Sequence, residues 1–514
     1  MYLQQFFLEG LGHASYLVGD PAAGVGVVVD PRRDVDVYLT AALAAGLAVR
    51  HVLETHTHND YVSGARALAA LTGAELWASD AGDGAGLQCD HRRLKEGGEV
   101  RAGRVRLRAL ETPGHTPEHL AFAVFDGDGD TPDVVFSGGA LLVGGAGRPD
   151  LSGAARSAPL ARAQYESVRR LLALPEGVQV FPTHGGGSFC GGGNGTARWS
   201  TVGTERRTNR LARFVAAGDA AGFAAAVLHD LPVVPAYWAR MRPLNTIGAP
   251  PLAAIGGVAG LPGLLVPRPL GPGAVHDLLA REAVYVVDAR DAAGFGGAHA
   301  PGAFGIGLGP SFGVWVGSVV PPDRPLVLVL PDDEGAAPAG PAGAWETAVR
   351  QLLRVGYDAV AGYLAGGMRA WAGAGLPFEQ IEQVSASWAA ARLSRGDLLL
   401  LDVRQPAEWA AGHAPGALHV PGAALPARLE RPEAATAPER LRPWAVICST
   451  GYRSSVGASV LRRHGVREVV NVLGGMNAWT AAGLPVEAAT VAGAGAMAGR
   501  RRPGRSPGTS GAPG

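Results

Sequence analysis

The sequence predicts an α+β sandwich with αββα layering, followed by two α/β units with parallel sheets. Three observations carry this. Residues 1–245 alternate short strands with helical stretches in two strand-rich halves. The order Asp288-Ala289-Arg290, residues 299–303 (His-Ala-Pro-Gly-Ala) and residues 364–371 recurs as Asp402-Val403-Arg404, residues 413–417 and residues 473–479. That is a tandem duplication of one unit over 265–378 and 390–487. A Pro/Gly-rich passage, with residues 246–264 as linker, separates the first region from the repeats, and the Ala/Gly/Pro/Arg-rich residues 488–514 predict a disordered tail.

In chain order, residues 6–8, 14–18 and 25–29 read as strands joined by tight turns, and residues 35–45 as a helix. A buried strand at 49–53 leads into Thr55-His56-Thr57-His58-Asn59-Asp60-Tyr61, and a helix begins near Ser63. Residues 105–110 read as a strand with edge character because arginines alternate along it. Strands at 120–125 and 134–136 follow, and residues 211–229 read as one Ala-rich helix. In the repeats, apolar runs at 283–290, 326–330 and 444–447 read as buried parallel strands.

Lys+Arg and Asp+Glu both number 45 in 514 residues, so no nucleic-acid or acidic-membrane partner is expected. Three cysteines, Cys89, Cys190 and Cys448, exclude a disulfide framework and fit a reducing compartment. With neither a signal-like N-terminus nor a membrane-length apolar window, a cytoplasmic protein is expected.

Chemistry concentrates in two places. Histidines two apart on a strand end, His56 and His58, can turn two imidazoles toward one ion, and an acid two residues on, Asp60, can orient them or bind a second ion. This turn, residues 112–115 ending in His115, residues 136–141 and residues 182–185 with His184 come in an order that resembles the metallo-beta-lactamase superfamily. Gly147-Arg148-Pro149-Asp150 and residues 203–209 make residues 1–245 most similar to its persulfide dioxygenase branch, which includes members fused to rhodanese domains. The resemblance implies a metal site near His56, His58 and His115, with Asp60 and His184 on the second-metal side. It also exposes two departures: Gly139 stands where the family has a ligating Asp, and Tyr61 where a His usually follows Asp60. Both disfavour a two-metal hydrolase. The expectation is at most one ion on His56, His58 and His115, with Fe(II) first, zinc second and an empty pocket as the alternative. Asp60, His184 and Tyr61 remain as neighbours or a weak second site.

Other residues of this region are read as supports. Asp30 is a turn residue, His13 a loop or pocket-edge residue, His119 a neighbour of the first histidines, and Arg148 a partner of Asp150. Cys190 reads as a buried inert thiol and Cys89 as incidental; Arg206 and Arg207 either meet a ligand's carboxylates or are solvated.

The second site is Cys448-Ser449-Thr450-Gly451-Tyr452-Arg453-Ser454, at a strand end just before a helix. A thiol there sits among free backbone N–H groups, which stabilise a thiolate or the outer sulfur of a persulfide, with Arg453 assisting. Both repeats resemble rhodanese, a sulfurtransferase fold, with Cys448 as nucleophile. Asp402 and Arg404, with Glu408, brace the unit. In the first repeat Pro331 falls at the cysteine position and Asp332, Asp333 and Glu334 follow, so this copy is expected to be a catalytically dead scaffold.

Together these imply sulfane-sulfur handling: a metal-dependent persulfide dioxygenase-like region coupled to a thiosulfate or persulfide sulfurtransferase. The expected partners are a low-molecular-weight thiol persulfide and thiosulfate or sulfite, and a homodimer is compatible with the sequence. The alternatives are a sulfurtransferase with a degenerate first region, or a persulfide-binding scaffold.

Overall fold

The computed structural model describes residues 1–80, 86–191, 197–229, 231–250, 252, 263–331, 340–431 and 441–488 of the chain. The acidic run after Pro331, most of the linker and the C-terminal tail lie outside the described residues.

The first region is two six-stranded sheets packed face to face. One runs β1 (Tyr2–Leu8), β2 (His13–Asp20), β3 (Val25–Val29), β4 (Ala48–Leu53), β5 (Glu75–Ser79), β6 (Arg92–Leu94). The other comprises β7 (Glu99–Ala102), β8 (Val105–Glu111), β9 (Leu120–Asp126), β10 (Val134–Gly138), β11 (Gln179–Pro182) and β12 (Ser200–Thr201), in the order β12-β11-β10-β9-β8-β7. Tyr16, Val27, Leu53, Leu107, Phe122 and Phe136 fill the space between the sheets. Helix Asp36–Ala44 and helix Ala65–Thr72 cover the first sheet through Tyr38 and Leu68. Helix Ala154–Leu172 covers the second through Ala161, Val168 and Leu171. The αββα layering is therefore as the alternation of strands and helices predicts.

Three local expectations are corrected. β8 is not an edge strand, because it pairs with both β7 and β9. Its arginines are accommodated inside the sheet: Arg106 donates to the carbonyls of Gly127 and Gly129, and both Arg106 and Arg108 lie over the Phe125 ring. The single helix expected over 211–229 is two, Ala212–Ala216 and Ala220–Leu228. Gly218 at φ +68° turns the chain, and the Asp219 side chain caps the second helix at Gly222 N. The stretch just before the expected linker, to which no element is assigned from sequence, forms helix Trp238–Ile247, with Pro243 inside it, and this helix packs on the histidine loop.

The two repeats build one sheet each, all parallel. The first contains β13 (Pro269–Leu270), β14 (Tyr285–Asp288), β15 (Phe304–Gly305), β16 (Leu326–Val329) and β17 (Val360–Leu364), ordered β13-β17-β16-β14-β15. The second contains β18 (Glu382–Val384), β19 (Leu399–Asp402), β20 (Leu418–His419), β21 (Trp444–Ile447) and β22 (Val469–Val472), ordered β18-β22-β21-β19-β20. The identical permutation is the structural form of the duplication. In each repeat the first Asp of the Asp-x-Arg motif is buried and grips its own Arg, at 2.6 Å for Asp288–Arg290 and 2.7 Å for Asp402–Arg404.

The middle repeat packs against both neighbours. One apolar cluster runs from Val62, Cys190 and Tyr237 through Val287, Leu328 and Trp345 to Leu401, Val446 and Cys448. Toward the first region the contact is also ionic. Asp34, fully buried, meets Arg354 at 2.6 Å, Arg32 at 3.2 Å and Arg350 at 3.4 Å. Among the described residues, no helix is long and apolar enough to cross a membrane.

Candidate functional site

The candidate metal-binding side chains gather at one end of the sandwich. The loop after β4 carries His56, His58 and Asp60; the β8–β9 loop carries His115 and His119; Gly139 follows β10, and His184 follows β11. β3, β4 and β5 run parallel, so their carboxyl ends, and the loop after β4, open on the same side.

Three histidines, His56, His58 and His115, share one pattern: one ring nitrogen is anchored and the other is left as a potential ligand. His56 Nδ1 is 2.8 Å from Thr55 Oγ1, which itself donates to Asp30 Oδ2 at 2.8 Å. The Thr55 oxygen therefore accepts from His56, leaving His56 Nε2 as a lone pair. His115 Nδ1 donates to the Arg148 carbonyl at 2.9 Å, and its buried Nε2 has no partner. His58 Nε2 meets Glu54 at 2.8 Å and Asp30 at 3.3 Å, and its Nδ1 has no partner. His184 Nδ1 lies 3.2 Å from Asp60 Oδ2, and its Nε2 is 3.3 Å from His56 Nε2. Two nitrogens each 2.0–2.1 Å from a tetrahedral ion stand about 3.3 Å apart. Orientation of a ligand imidazole through its distal nitrogen is the usual support of a metal site. The residues present therefore fit a metal ion.

The ligand atoms of His56, His58 and His184 lie within 4.8 Å of one another, and so do those of His115, His184 and Cys190. His184 is thus shared by both groups, whereas the sequence reading placed His115 with the first pair. All four histidines are buried. Burial, reinforced by the neighbouring imidazoles, holds His56 and His115 well below the usual histidine range, as neutral ligands require. Burial also opposes charge on His58, but Asp30 and Glu54 outweigh it and raise its pKa. Asp60 is pulled below the usual carboxylate range by His184 against the opposing effect of burial.

The neighbours explain the two departures. An ideal Cβ on Gly139 would lie 2.6 Å from His115 Cγ and 2.9 Å from its Nε2, so the His115 ring fills the space that a side chain at this position would need. The Gly139 N–H donates to His119 Nε2 at 2.8 Å, and His119 Nδ1 meets Thr112 Oγ1 at 2.8 Å. Both nitrogens of His119 are engaged, so it is a support rather than a ligand. Tyr61 is buried, with ring centroids 3.9 Å from His13 and 4.6 Å from His58, and donates to the Asp30 carbonyl at 3.2 Å. His13 is buried, not solvated, and contacts the same carbonyl at 3.1 Å.

Asp30 is more than a turn residue. At φ 51° it accepts from Thr55 N at 2.7 Å, from Thr55 Oγ1 and from Thr183 Oγ1, tying the loops after β4 and β11 together. Arg148 pairs with Asp150 through two 2.7 Å bonds and also reaches the Pro232 carbonyl at 2.8 Å. Arg206 does not face the pocket: it braces the Leu172 and Leu174 carbonyls.

Sequence reasoning missed the cover of this site. Asn245 donates to the carbonyls of His58 at 2.9 Å and Tyr61 at 2.7 Å, and accepts from Ser63 N. Tyr237 donates to the Asp60 carbonyl at 2.8 Å. Arg242 clasps Glu118, which accepts from Thr57 N. Asn245 and Tyr237 lie 177 to 187 residues from the loop residues they hold, and Arg242 lies 124 from Glu118, so no local spacing points to them. Cys190 was also missed as a member of the cluster; burial, with Asp60 close by, pushes its thiol well above the usual range.

Cys448, fully buried, ends β21 and precedes helix Tyr452–Arg463. Its Sγ accepts from Gly451 N at 3.1 Å and from Ser454 Oγ at 3.4 Å. Gly451 has φ +107°, which a side chain rarely adopts, so glycine is required for the curl. The Cys448 and Ser449 carbonyls accept from Met476 N and Asn477 N, fixing the loop on the last helix. Thr450 is exposed, and Tyr452 Oη donates to the Gly307 carbonyl of the middle repeat at 2.9 Å. Arg453 is held fork to fork by Glu408, with both bonds at 2.7 Å, and also donates to Ser449 Oγ. In the middle repeat the strand register puts Leu330, not the expected Pro331, at the cysteine position, because Asp288 pairs with Val329 as Asp402 pairs with Ile447; no thiol stands there, and residues 332–334 lie outside the described residues.

Comparison with known proteins agrees with this architecture. The family model "Metallo-beta-lactamase superfamily" matches residues 8–184, and "Rhodanese-like domain" matches residues 385–482. The mitochondrial persulfide dioxygenase ETHE1 of Mus musculus is 30% identical over 187 residues, 35% of this chain and 67% of that protein. A hydroxyacylglutathione hydrolase of Rhodospirillum rubrum is 34% identical over 169 residues, 33% of this chain and 60% of that protein. A metallo-beta-lactamase crystal structure from Staphylococcus aureus subsp. aureus COL superposes with TM-score 0.58 at 28% identity, covering 71% of this chain and 98% of that one. The chain belongs to the metallo-beta-lactamase superfamily, as an ETHE1-like region fused to two rhodanese-like units.

Proposed function

We propose that the chain handles sulfane sulfur at two sites: a mononuclear, metal-dependent persulfide-oxidising centre in the first region, and a sulfurtransferase centred on Cys448. The observation that carries the first half is the shared orientation of His56, His58 and His115, each anchored on one nitrogen with the other left as a potential ligand, and His184 Nε2 3.3 Å from His56 Nε2. Persulfide oxidation is the activity named for the mouse relative.

His56 and His58 would hold the ion together with His115 or His184. A bound Fe(II) would supply the one-electron chemistry that brings dioxygen to the sulfane sulfur; the overall change is persulfide, dioxygen and water giving thiol and sulfite. The chain's own residues do the positioning. Thr55, Asp30 and the Arg148 carbonyl fix the imidazole tautomers, and the helix Trp238–Ile247 shields the histidines from water. At the second site, the Cys448 thiolate attacks the outer sulfur of a donor and expels its thiolate or sulfite. Gly451 N–H and Ser454 Oγ–H support the sulfur that results.

Hydrolysis of a hydroxyacylglutathione, the activity named for the hydrolase relatives, is the second reading. It is disfavoured because the His115 ring occupies the place of the bridging carboxylate. The deciding experiment is anaerobic purification with metal analysis, then sulfite release from glutathione persulfide under dioxygen. One equivalent of iron with sulfite release supports the dioxygenase. No metal under any loading condition, with Cys448-dependent transfer intact, leaves the sulfurtransferase alone.

A further inference from the structure

The loop around Cys448 bears one arginine, and that arginine is already answered. Arg453 Nη1 and Nη2 each meet a Glu408 oxygen at 2.7 Å, and Nη2 also donates to Ser449 Oγ at 2.7 Å. Ser449 in turn donates to Glu408 Oε1 at 2.8 Å, and Gln405 N donates to Glu408 Oε2 at 3.0 Å. Four donors therefore converge on one carboxylate beside the loop. Burial alone would favour protonation of Glu408, but the Arg453 fork and the other donors hold it down to about 2, so it is ionised at neutral pH. Arg404, at the end of the adjacent strand β19, is likewise closed off by Asp402 in a bidentate pair. The hydrogen bonds to Cys448 Sγ come from neutral donors, Gly451 N–H and Ser454 Oγ–H; Arg453 also feels the Cys448 sulfur, but less than it feels Glu408.

We propose that Glu408 sets donor specificity at Cys448, making the loop select a thiol persulfide over thiosulfate. The inference rests on the sulfurtransferase reading above and names the donor class for that site. Thiosulfate brings two negative charges to the loop, and its sulfonate needs a free cation. With the Arg453 charge cancelled at 2.7 Å, a dianion gains little there and still meets the Glu408 carboxylate. A persulfide brings at most one charge on its reacting sulfur and leaves as a thiolate. In the transfer, Cys448 Sγ⁻ bonds to the outer sulfur as the S–S bond to the donor breaks. The electron pair departs with the donor thiolate, and Cys448 is left as the persulfide.

The test is single-turnover transfer to Cys448 in the full chain, from glutathione persulfide and from thiosulfate, for the parent, Glu408→Gln and Glu408→Asp. The parent is expected to react at least about tenfold faster with the persulfide. Glu408→Gln preserves the shape and one acceptor while freeing the Arg453 charge, so the thiosulfate-to-persulfide rate ratio rises on the order of tenfold. Glu408→Asp keeps the charge and holds the parental ratio. A parent that uses thiosulfate as readily as persulfide overturns the proposal without any variant. So does a Glu408→Gln protein in which both rates fall together, which is what a merely structural role would give. Transfer from neither donor in the parent removes the sulfurtransferase reading itself, and the proposal with it.

Discussion

The His115 ring lies against the α-carbon of Gly139, in the volume that a side chain at position 139 would need. The missing carboxylate is therefore not a vacancy that one substitution refills. Gly139→Asp is expected to overpack the site and destabilise the protein by roughly 1–3 kcal/mol, without adding a tightly held ion. Thermal unfolding with metal analysis checks this; a second tight equivalent at unchanged stability would refute it.

Metal content should depend on the anchored histidines. We expect at most one tight equivalent in the parent, and its loss in His56→Ala and in His115→Ala. His119→Ala should keep the equivalent but cost about 1–3 kcal/mol, since it orphans the buried Gly139 N–H. Anaerobic metal analysis with denaturant unfolding separates the two effects. Loss of metal in His119→Ala at parental stability would reverse the assignment.

Cys448→Ser should reduce sulfur transfer to background and leave metal content untouched, because serine keeps the shape but lacks an accessible anion near neutral pH. Retained transfer would turn attention to Cys190, whose thiol sits beside His115 and His184.

Asp34 gives the clearest dependence on pH. Burial would raise its pKa, but Arg354, Arg32 and Arg350 together lower it below the ordinary carboxylate value. A depressed folded-state pKa means stability that is present above the unfolded value of about 3.9 and is lost as pH falls through the folded value. Asp34→Asn leaves three arginines facing a neutral group and should cost roughly 3–5 kcal/mol at neutral pH. Its denaturant midpoint should also fall less than the parent's between about pH 5 and pH 2. Parallel midpoint curves for the two proteins would remove Asp34 as the titrating group.

The sheets were legible because their strands are apolar runs of strand length closed by turn residues, and the duplication because its motifs repeat verbatim at Asp-x-Arg and Gly-Gly-Met. The candidate ligands were legible because four of them sit in ordered motifs. What covers them was not. Asn245 meets His58 and Tyr61 only because helix Trp238–Ile247 folds back on that loop, and Pro243 inside it hides the helix from a reading of the sequence. Arg106 misled in the other direction. Its charge suggested an exposed strand, but two backbone carbonyls and the Phe125 face satisfy it inside a sheet.

The apolar cluster shared by Val62, Trp345 and Cys448 makes the middle repeat a keystone. A unit with Leu330 where its sibling has Cys448 would be free to drift if it folded by itself. Here its side chains are the floor of one neighbour and the wall of the other. Heating should therefore melt all four sheets in a single calorimetric transition, and a cavity opened at Trp345 should lower the melting point of both chemical sites together. The repeat without a thiol at its strand end is thus the one through which a disturbance at either candidate site would reach the other.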